Sequence, residues 1–409
     1  MVPNGWEVKK LNELCEINPK KPSKPNDELV SFISMSQVSE DGQIISTETK
    51  TYDEVSKGFT SFKDKDVLVA KITPCFENGK GALAHTLING IGFGSTEFHV
   101  LRAKETTDPK FIYYITRTNA FRAKGTMNMQ GSAGHRRVTT DFIQVYKINT
   151  PPLLEQQKIA KILSTWDKAI STTERLIDKS AQQKKALMQQ LLTGKKRLLD
   201  ETGKRFAGEW EEYKLGDITD FIRDGTHGTH ERYESGVPML SAKNITKQNT
   251  VDFDDAPYIS EEDYNKIHAR YTIKSGDILL TVVGTLGRVA LVPEELAEKF
   301  TLQRSVAIIR VAKGVCNQFL MQLFSSSDFT HLLHRKSNST AQAGVYLGEL
   351  GKLKILLPSF EEQQKIATVL TNADKEIELL KQQLADLQQE KKALMQQLLT
   401  GKKRVVVDE

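Results

Sequence analysis

The chain has 409 residues, 39% hydrophobic and 27% charged, with a formal net charge of +5 and three cysteines. That is long for one domain and sufficient for two or three buried cores. No apolar run approaches the ~18 residues that span a bilayer, the first residues lack a signal-peptide core, and Cys15, Cys75 and Cys316 lie too far apart for a disulfide framework or a Cys-type zinc site, so a cytoplasmic protein is expected.

Residues 1–151 read as an α+β block in which strands dominate. Short β-like runs are divided by Gly, Pro, Asn and Asp. Lys65-Asp66-Val67-Leu68-Val69 and Glu97-Phe98-His99-Val100-Leu101-Arg102 are the clearest strands, and PKFIYYITRTNAFRAK is a helix. The block holds 20 Lys+Arg against 17 Asp+Glu, which by itself does not announce a nucleic-acid partner.

Residues 152–204 form a long helix and a linker. Ile159, Leu163, Trp166, Ile170, Thr173, Ile177, Ser180, Lys184, Leu187 and Leu191 recur at alternating spacings of four and three, the period of a coiled-coil seam. Pro152 starts the helix and Gly194 stops it. Residues 205–358 repeat the first layout. Gly276-Asp277-Ile278-Leu279-Leu280 and Arg304–Arg310 correspond to the two strands above, and CNQFLMQLFSSSDFTHLLHR to the helix. This block is slightly acidic, with 18 Lys+Arg and 20 Asp+Glu.

Residues 359–409 are a second long helix and a tail. Its seam, Ile366, Leu370, Ala373, Ile377, Leu380, Leu384, Leu387, Lys391, Leu394 and Leu398, is apolar at all but one position. Ser359 and Glu362 have capping-box spacing, and Gly401 is the stop. Each helix runs ~60 Å at ~1.5 Å per residue. Two such seams in one chain most simply pack together.

The phrase KKALMQQLLTGKKR occurs twice, at Lys184–Arg197 and Lys391–Arg404. At the same offset of 207, Glu155–Ile170 aligns with Glu362–Ile377, and Trp6 matches Trp210 at 204. The chain is therefore two halves, each a variable block followed by a similar helix. Identity extends to positions expected to be exposed, so both copies are expected to meet the same partner surface. The blocks share a frame and differ in loops, as one scaffold reading two ligands would.

These features together resemble the specificity subunit of type I restriction–modification systems, over the whole length. The resemblance rests on the two-block, two-helix plan, on PPLLEQQKIA at 151–160 with its counterpart at Pro358–Ala367, on the repeated LLTGKKR, and on DGTHGTHERYESGVPMLSAKNI at Asp224–Ile245. It implies two target-recognition domains, each reading one half of a bipartite double-stranded DNA site. The two helices would form an antiparallel coiled coil in a pseudo-two-fold internal repeat. Two modification (methyltransferase) subunits would dock on them, with restriction (motor/nuclease) subunits joining, and this chain would be non-catalytic. Half-sites one helical turn apart are ~34 Å centre to centre, a span such helices can bridge.

For base reading, loop Arg, Lys, Asn, Gln and His are the useful side chains. In the first block they are Gln130, His135, Arg136 and Arg137 within MQGSAGHRRV, with Lys71 and Lys80. In the second they are Thr226, His227, His230, Lys243, Asn244, Arg288, Gln303 and Arg304. Lys20, Lys21 and Lys24 are phosphate contacts or a basic loop. Each is also readable as an ordinary solvated side chain.

Catalytic patterns do not assemble. A Gly-rich methyl-donor loop with an Asn/Asp-Pro-Pro-aromatic motif is missing, as is a phosphate loop, so no cofactor is expected. Val282–Gly287 reads as a strand-end turn. His227 with His230, and His331 with His334, lack further partners at metal spacing. Asp41, Glu48 and Lys50 faintly suggest a metal-dependent nuclease; a turn and an exposed edge strand is the simpler reading. A stand-alone nuclease and a purely structural coiled coil are the rival functions.

Overall fold

The structure, a computed structural model, describes residues 2–132, 134–337 and 344–406. The chain forms two compact units, Met1–Glu174 with Gln382–Glu409, and Arg175–Lys381. Sequence reading divides the chain at the ends of elements. The compact units instead divide each long helix, so that each unit is completed by part of the other half's helix.

In the first unit, Cys15–Ile17, Phe98–Ala103, Val67–Ala70 and Gly81–Leu83 form a four-stranded sheet in that order. Its members pair antiparallel, with Val67 opposite Leu101 and Leu68 opposite Val100. A second sheet has the order Glu48–Thr51, Leu29–Ile33, Ile91–Gly94 and Thr60–Lys63, with its central pair parallel. The strand Val67–Ala70 is buried along its whole length. An uninterrupted apolar run suits a strand covered on both faces.

The second unit repeats this frame. Thr219–Asp224, Val306–Val311, Ile278–Thr281 and Val289–Leu291 form the antiparallel sheet. Val237–Leu240 and Thr301–Leu302 reproduce the parallel pair. The correspondence extends to single residues. Asp66 and Asp277 are buried carboxylates, each held by two hydrogen bonds from one arginine: Arg102 at 2.8 and 2.7 Å, and Arg310 at 2.8 and 2.7 Å. Each carboxylate also accepts a backbone N–H three residues upstream, from Lys63 and Lys274. A buried charge persists only when paired and hydrogen-bonded in this way.

The single helix expected after each main strand is two short ones. Pro109–Thr116 is followed by Asn119–Met127, and Asn317–Phe324 by Ser327–Lys336. The break is a capping event. Thr118 and Ser326 are extended, and their side chains accept from Phe121 N and Phe329 N, which starts a new helix.

Leu153–Leu191 and Phe360–Leu398 are the long helices, 39 residues each. Every position of the two heptad seams is buried or partly buried. Within each unit the two helical segments run antiparallel. In the first, Asp167 meets Lys391 while the earlier Glu155 meets the later Arg404. In the second, Asp374 meets Lys184 and Glu362 meets Arg197. The expected α+β fold with long antiparallel helices is thus observed.

The repeated phrase closes each unit. Leu398 and Leu399 are buried in the first unit's core, and Leu191 and Leu192 in the second's. Gly401 has φ +72°, and a Cβ there would sit 2.3 Å from Pro3 Cγ. Gly194 has φ +68° and lies against Trp210. Arg404 donates to both oxygens of Glu155 and to the Asn4 carbonyl, while Trp6 Nε1 donates to Glu155 at 3.0 Å. Arg197 treats Glu362 and the Gly208 carbonyl in the same manner. Ser359 does accept from Glu362 N, at 3.4 Å, but the Glu362 carboxylate is committed to Arg197, so the capping box is only half formed.

Candidate nucleic-acid interface

In the first unit the strand Val67–Ala70 ends at Lys71, whose backbone ties two loops together. Lys71 N donates to Glu97 O at 2.7 Å, and Val138 N donates to Lys71 O at 2.9 Å. The second tie brings in a short hairpin, Met129–Gln130 against Arg137–Val138. Lys71, Gln130, Arg136 and Arg137 therefore share one neighbourhood.

Charge organises that neighbourhood. Arg137 donates to Glu97 through Nε at 2.9 Å and Nη2 at 2.8 Å, and its Nη1 donates to the His135 carbonyl. The Arg137 guanidinium holds the Glu97 carboxyl below its ordinary range. Lys71 Nζ donates to Thr96 O at 2.9 Å, and burial lowers its pKa. Arg136 lies 3.6 Å from Glu77. Beneath them His99 Nε2 is 2.8 Å from Val138 O. A carbonyl only accepts, so Nε2 carries the proton. Burial drives the His99 pKa down to about 4. His135 and Gln130 are exposed. Lys80 Nζ reaches the Met35 carbonyl at 3.2 Å.

In the second unit the same backbone ties recur with different side chains. Val282 N donates to Ser305 O, and Val345 N to Val282 O, both at 2.9 Å. Val282 thus takes the place of Lys71. Gly344, bridged to Val283, takes the place of Arg137, bridged to Ile72. Arg288 matches Lys80: its Nη1 donates to the Ile245 carbonyl at 3.1 Å.

Thr226 bridges to Gln303, and Arg304 N donates to Thr226 O at 3.1 Å, so these three sit together. His230 lies between Thr226 Oγ1, 2.9 Å from Nε2, and Asp263 Oδ2, 3.2 Å from Nδ1. His227 is exposed and 2.7 Å from Asp224. Lys243 Nζ donates to the Asp255 carbonyl at 3.0 Å.

Asn244 departs from the expectation of a base-reading loop side chain. It is 2% exposed; its Oδ1 accepts from Ser241 N and Oγ, and its Nδ2 donates to the Asp254 carbonyl. It shapes the turn that carries Lys243. Gln37 has the same task in the first unit, accepting from Ser34 N at 2.7 Å.

Sequence reading passed over Glu97, His99 and Asp263, because an acid or a buried histidine is not an obvious base reader. For Asp263 a signal existed: Ser260 and Asp263 have capping spacing, and Ser260 Oγ accepts from Asp263 N. Glu48–Thr51 is an edge strand, with Glu48 paired to Lys50 at 3.4 Å. Val283–Gly287 is the turn after Thr281, and His331 and His334 are exposed on a helix. Among the described residues no group of three or more His, Cys, Asp or Glu side chains is placed to hold a metal. None of the described helices is long and apolar enough to cross a membrane.

A model of the type I restriction modification DNA specificity domain matches residues 3–179 and again 207–389. The chain belongs to this family. It carries two specificity domains, one in each half. Over 161 residues it is 40% identical to the type I restriction enzyme EcoAI specificity subunit of Escherichia coli, covering 39% of this chain and 27% of that relative. It is 26% identical over 427 residues to the MjaVIII specificity subunit of Methanocaldococcus jannaschii, covering 99% and 94%. A crystal structure of a type I restriction–modification S subunit from M. genitalium superposes with a TM-score of 0.59 at 17% identity, covering 98% of each chain, so the two share a fold.

Proposed function

We propose that this chain is the sequence-specific DNA-recognition subunit of a type I restriction–modification complex, non-catalytic and cytoplasmic. Each specificity domain reads one half of a bipartite duplex site. The carrying observation is the contrast between frame and edge. The two units share the Asp66–Arg102 and Asp277–Arg310 pairs and the same strand ties, yet Lys71 is replaced by Val282 and Arg137 by Gly344. A scaffold that keeps its skeleton and changes its edge is suited to two different base sequences.

The helices dock two modification subunits, with restriction subunits completing the complex. The repeated phrase supports this reading in a narrower form than identity alone. Lys184, Leu191, Leu192, Gly194 and Arg197, with their counterparts, make matching internal contacts in the two units. Lys185, Gln189, Gln190, Thr193, Lys195 and Lys196 are exposed in both copies, and internal packing does not account for their identity. In the first unit Lys392, Gln396 and Lys402 line a cleft of about 990 Å³ together with Arg117 and Asp41. The working division is recognition domains at 1–151 and 205–358 and docking helices at 152–204 and 359–409.

Methylation-sensitive sequencing of host DNA, with and without this gene, tests the proposal. Loss of methylation at one two-part motif is expected. Unchanged methylation with the modification genes expressed would sink it.

A further inference from the structure

Thr226, His230 and Asp263 form a chain of hydrogen bonds at the second recognition edge, and its polarity follows from the donors available. An ionised carboxylate only accepts, so Asp263 fixes the proton on His230 Nδ1, 3.2 Å away. In the neutral ring Nε2 is then an acceptor, and the Thr226 hydroxyl, at 2.9 Å, donates to it. Gly228 N donates to the same oxygen at 3.2 Å. A hydroxyl has one proton and two lone pairs. The proton and one lone pair of Thr226 are used, and one lone pair remains.

We propose that Asp263 and His230 hold Thr226 as a dedicated hydrogen-bond acceptor for an exocyclic amine of adenine or cytosine in the major groove of the second half-site. This rests on the DNA-recognition reading above. An acceptor-only hydroxyl cannot serve a phosphate oxygen, guanine O6 or N7, or thymine O4, all of which are acceptors. In the major groove the donors are adenine N6 and cytosine N4. Thr226 bridges to Gln303 and accepts through its carbonyl from Arg304 N, which places it among base-reading side-chain types. His230 and Asp263 are positioning residues. The first unit has Lys71 and Arg137 at its edge where the second has Val282 and Gly344, so the two edges differ in side-chain chemistry around a common frame.

The test uses the full chain and a duplex carrying its mapped bipartite site, with affinity read by competition. Each adenine of the second half-site is replaced in turn by purine, and each cytosine by 2-pyrimidinone, removing one amine at a time. At one position the wild type is expected to lose roughly tenfold in affinity, on the scale of one good hydrogen bond. Purine or 2-pyrimidinone identifies the base. Thr226→Val should lose the same factor on the natural duplex and be indifferent to the analogue. Thr226→Ser should restore the response. Asp263→Asn, whose amide can donate to Nδ1 and reverse the ring's tautomer, should abolish it while first-half-site selectivity and the melting temperature stay as in the wild type.

The assignment is overturned if no amine deletion matters, if Thr226→Val and Asp263→Asn keep the wild-type pattern, or if only inosine for guanine reduces binding, which would put the contact in the minor groove. If neither half-site shows any base preference, the DNA-recognition reading itself fails. Preference retained at the first half-site alone sinks only the role of Thr226.

Discussion

Lys391 forms its ion pair with Asp167, 224 positions earlier in the chain, and Tyr114 donates to the same carboxylate at 2.5 Å. Lys184 repeats the arrangement with Asp374 at 2.5 Å, where Gln322 Nε2 is the second donor at 2.8 Å. A lysine at a seam position of each helix thus pairs with a carboxylate of the opposing helix. One polar contact at a seam position specifies register at some cost in stability.

Exchanging that pair tests the register role. Asp374→Lys should destabilise the second unit by about 2 kcal/mol, and adding Lys184→Asp should recover about 1 kcal/mol, discounted because Asp374 is partly exposed. A double-mutant cycle on chemical denaturation measures the coupling. Simple additivity would show that the lysine is a passive interruption.

The two closing arginines should differ. Glu362 is fully buried and Arg197 only 19% exposed, so Arg197→Ala should cost about 3 kcal/mol by stranding a charge. Arg404 is 43% exposed, and Trp6 Nε1 would still donate to Glu155. Trp210 Nε1 is buried without a partner and gives Glu362 no such support. Arg404→Ala should therefore cost distinctly less in thermal unfolding, and equal losses would contradict the assignment.

The first unit should weaken in mild acid. His99 is buried and neutral, with its pKa lowered to about 4, whereas an unfolded histidine titrates near ~6.5. Between those values the unfolded chain binds the extra proton. Stability is therefore fully present above about 6.5 and falls as pH drops to about 4, by at most roughly 3 kcal/mol. His99→Gln should flatten that part of the melting-temperature profile; an unchanged slope would assign it to other groups.

Arg137→Ala should lower discrimination at the first half-site by roughly tenfold and leave the second untouched. Binding to duplexes mutated in one half-site at a time reads this directly. A uniform loss across all sequences would make Arg137 a phosphate contact.

Charge reversal on one copy of the exposed phrase, Lys392→Glu with Lys402→Glu, should reduce the number of bound modification subunits from two to one by native mass spectrometry. The second copy, Lys185 and Lys195, remains intact. Retention of both subunits would remove this surface from the docking role.

Much of this was legible in one dimension. Periodicity placed both long helices, because a seam that must be buried repeats at a fixed interval. The internal repeat exposed two blocks and two helices, and the strand matches Lys65–Val69 with Gly276–Leu280 marked the common frame, since their Asp and apolar run are local requirements. Local sequence could not show where Lys184, Lys391, Arg197 and Arg404 find their carboxylates. Each pair spans more than 160 positions, and only the antiparallel course of the helices joins them. It could not separate Asn244 from its exposed neighbour Lys243 either, because burial depends on which strands flank the turn. Sequence marked Thr226 as a candidate base reader but not the direction of its hydroxyl's hydrogen bond. Its hydrogen-bonding sense was decided by Asp263, 37 positions away, through a ring whose proton only the folded geometry places.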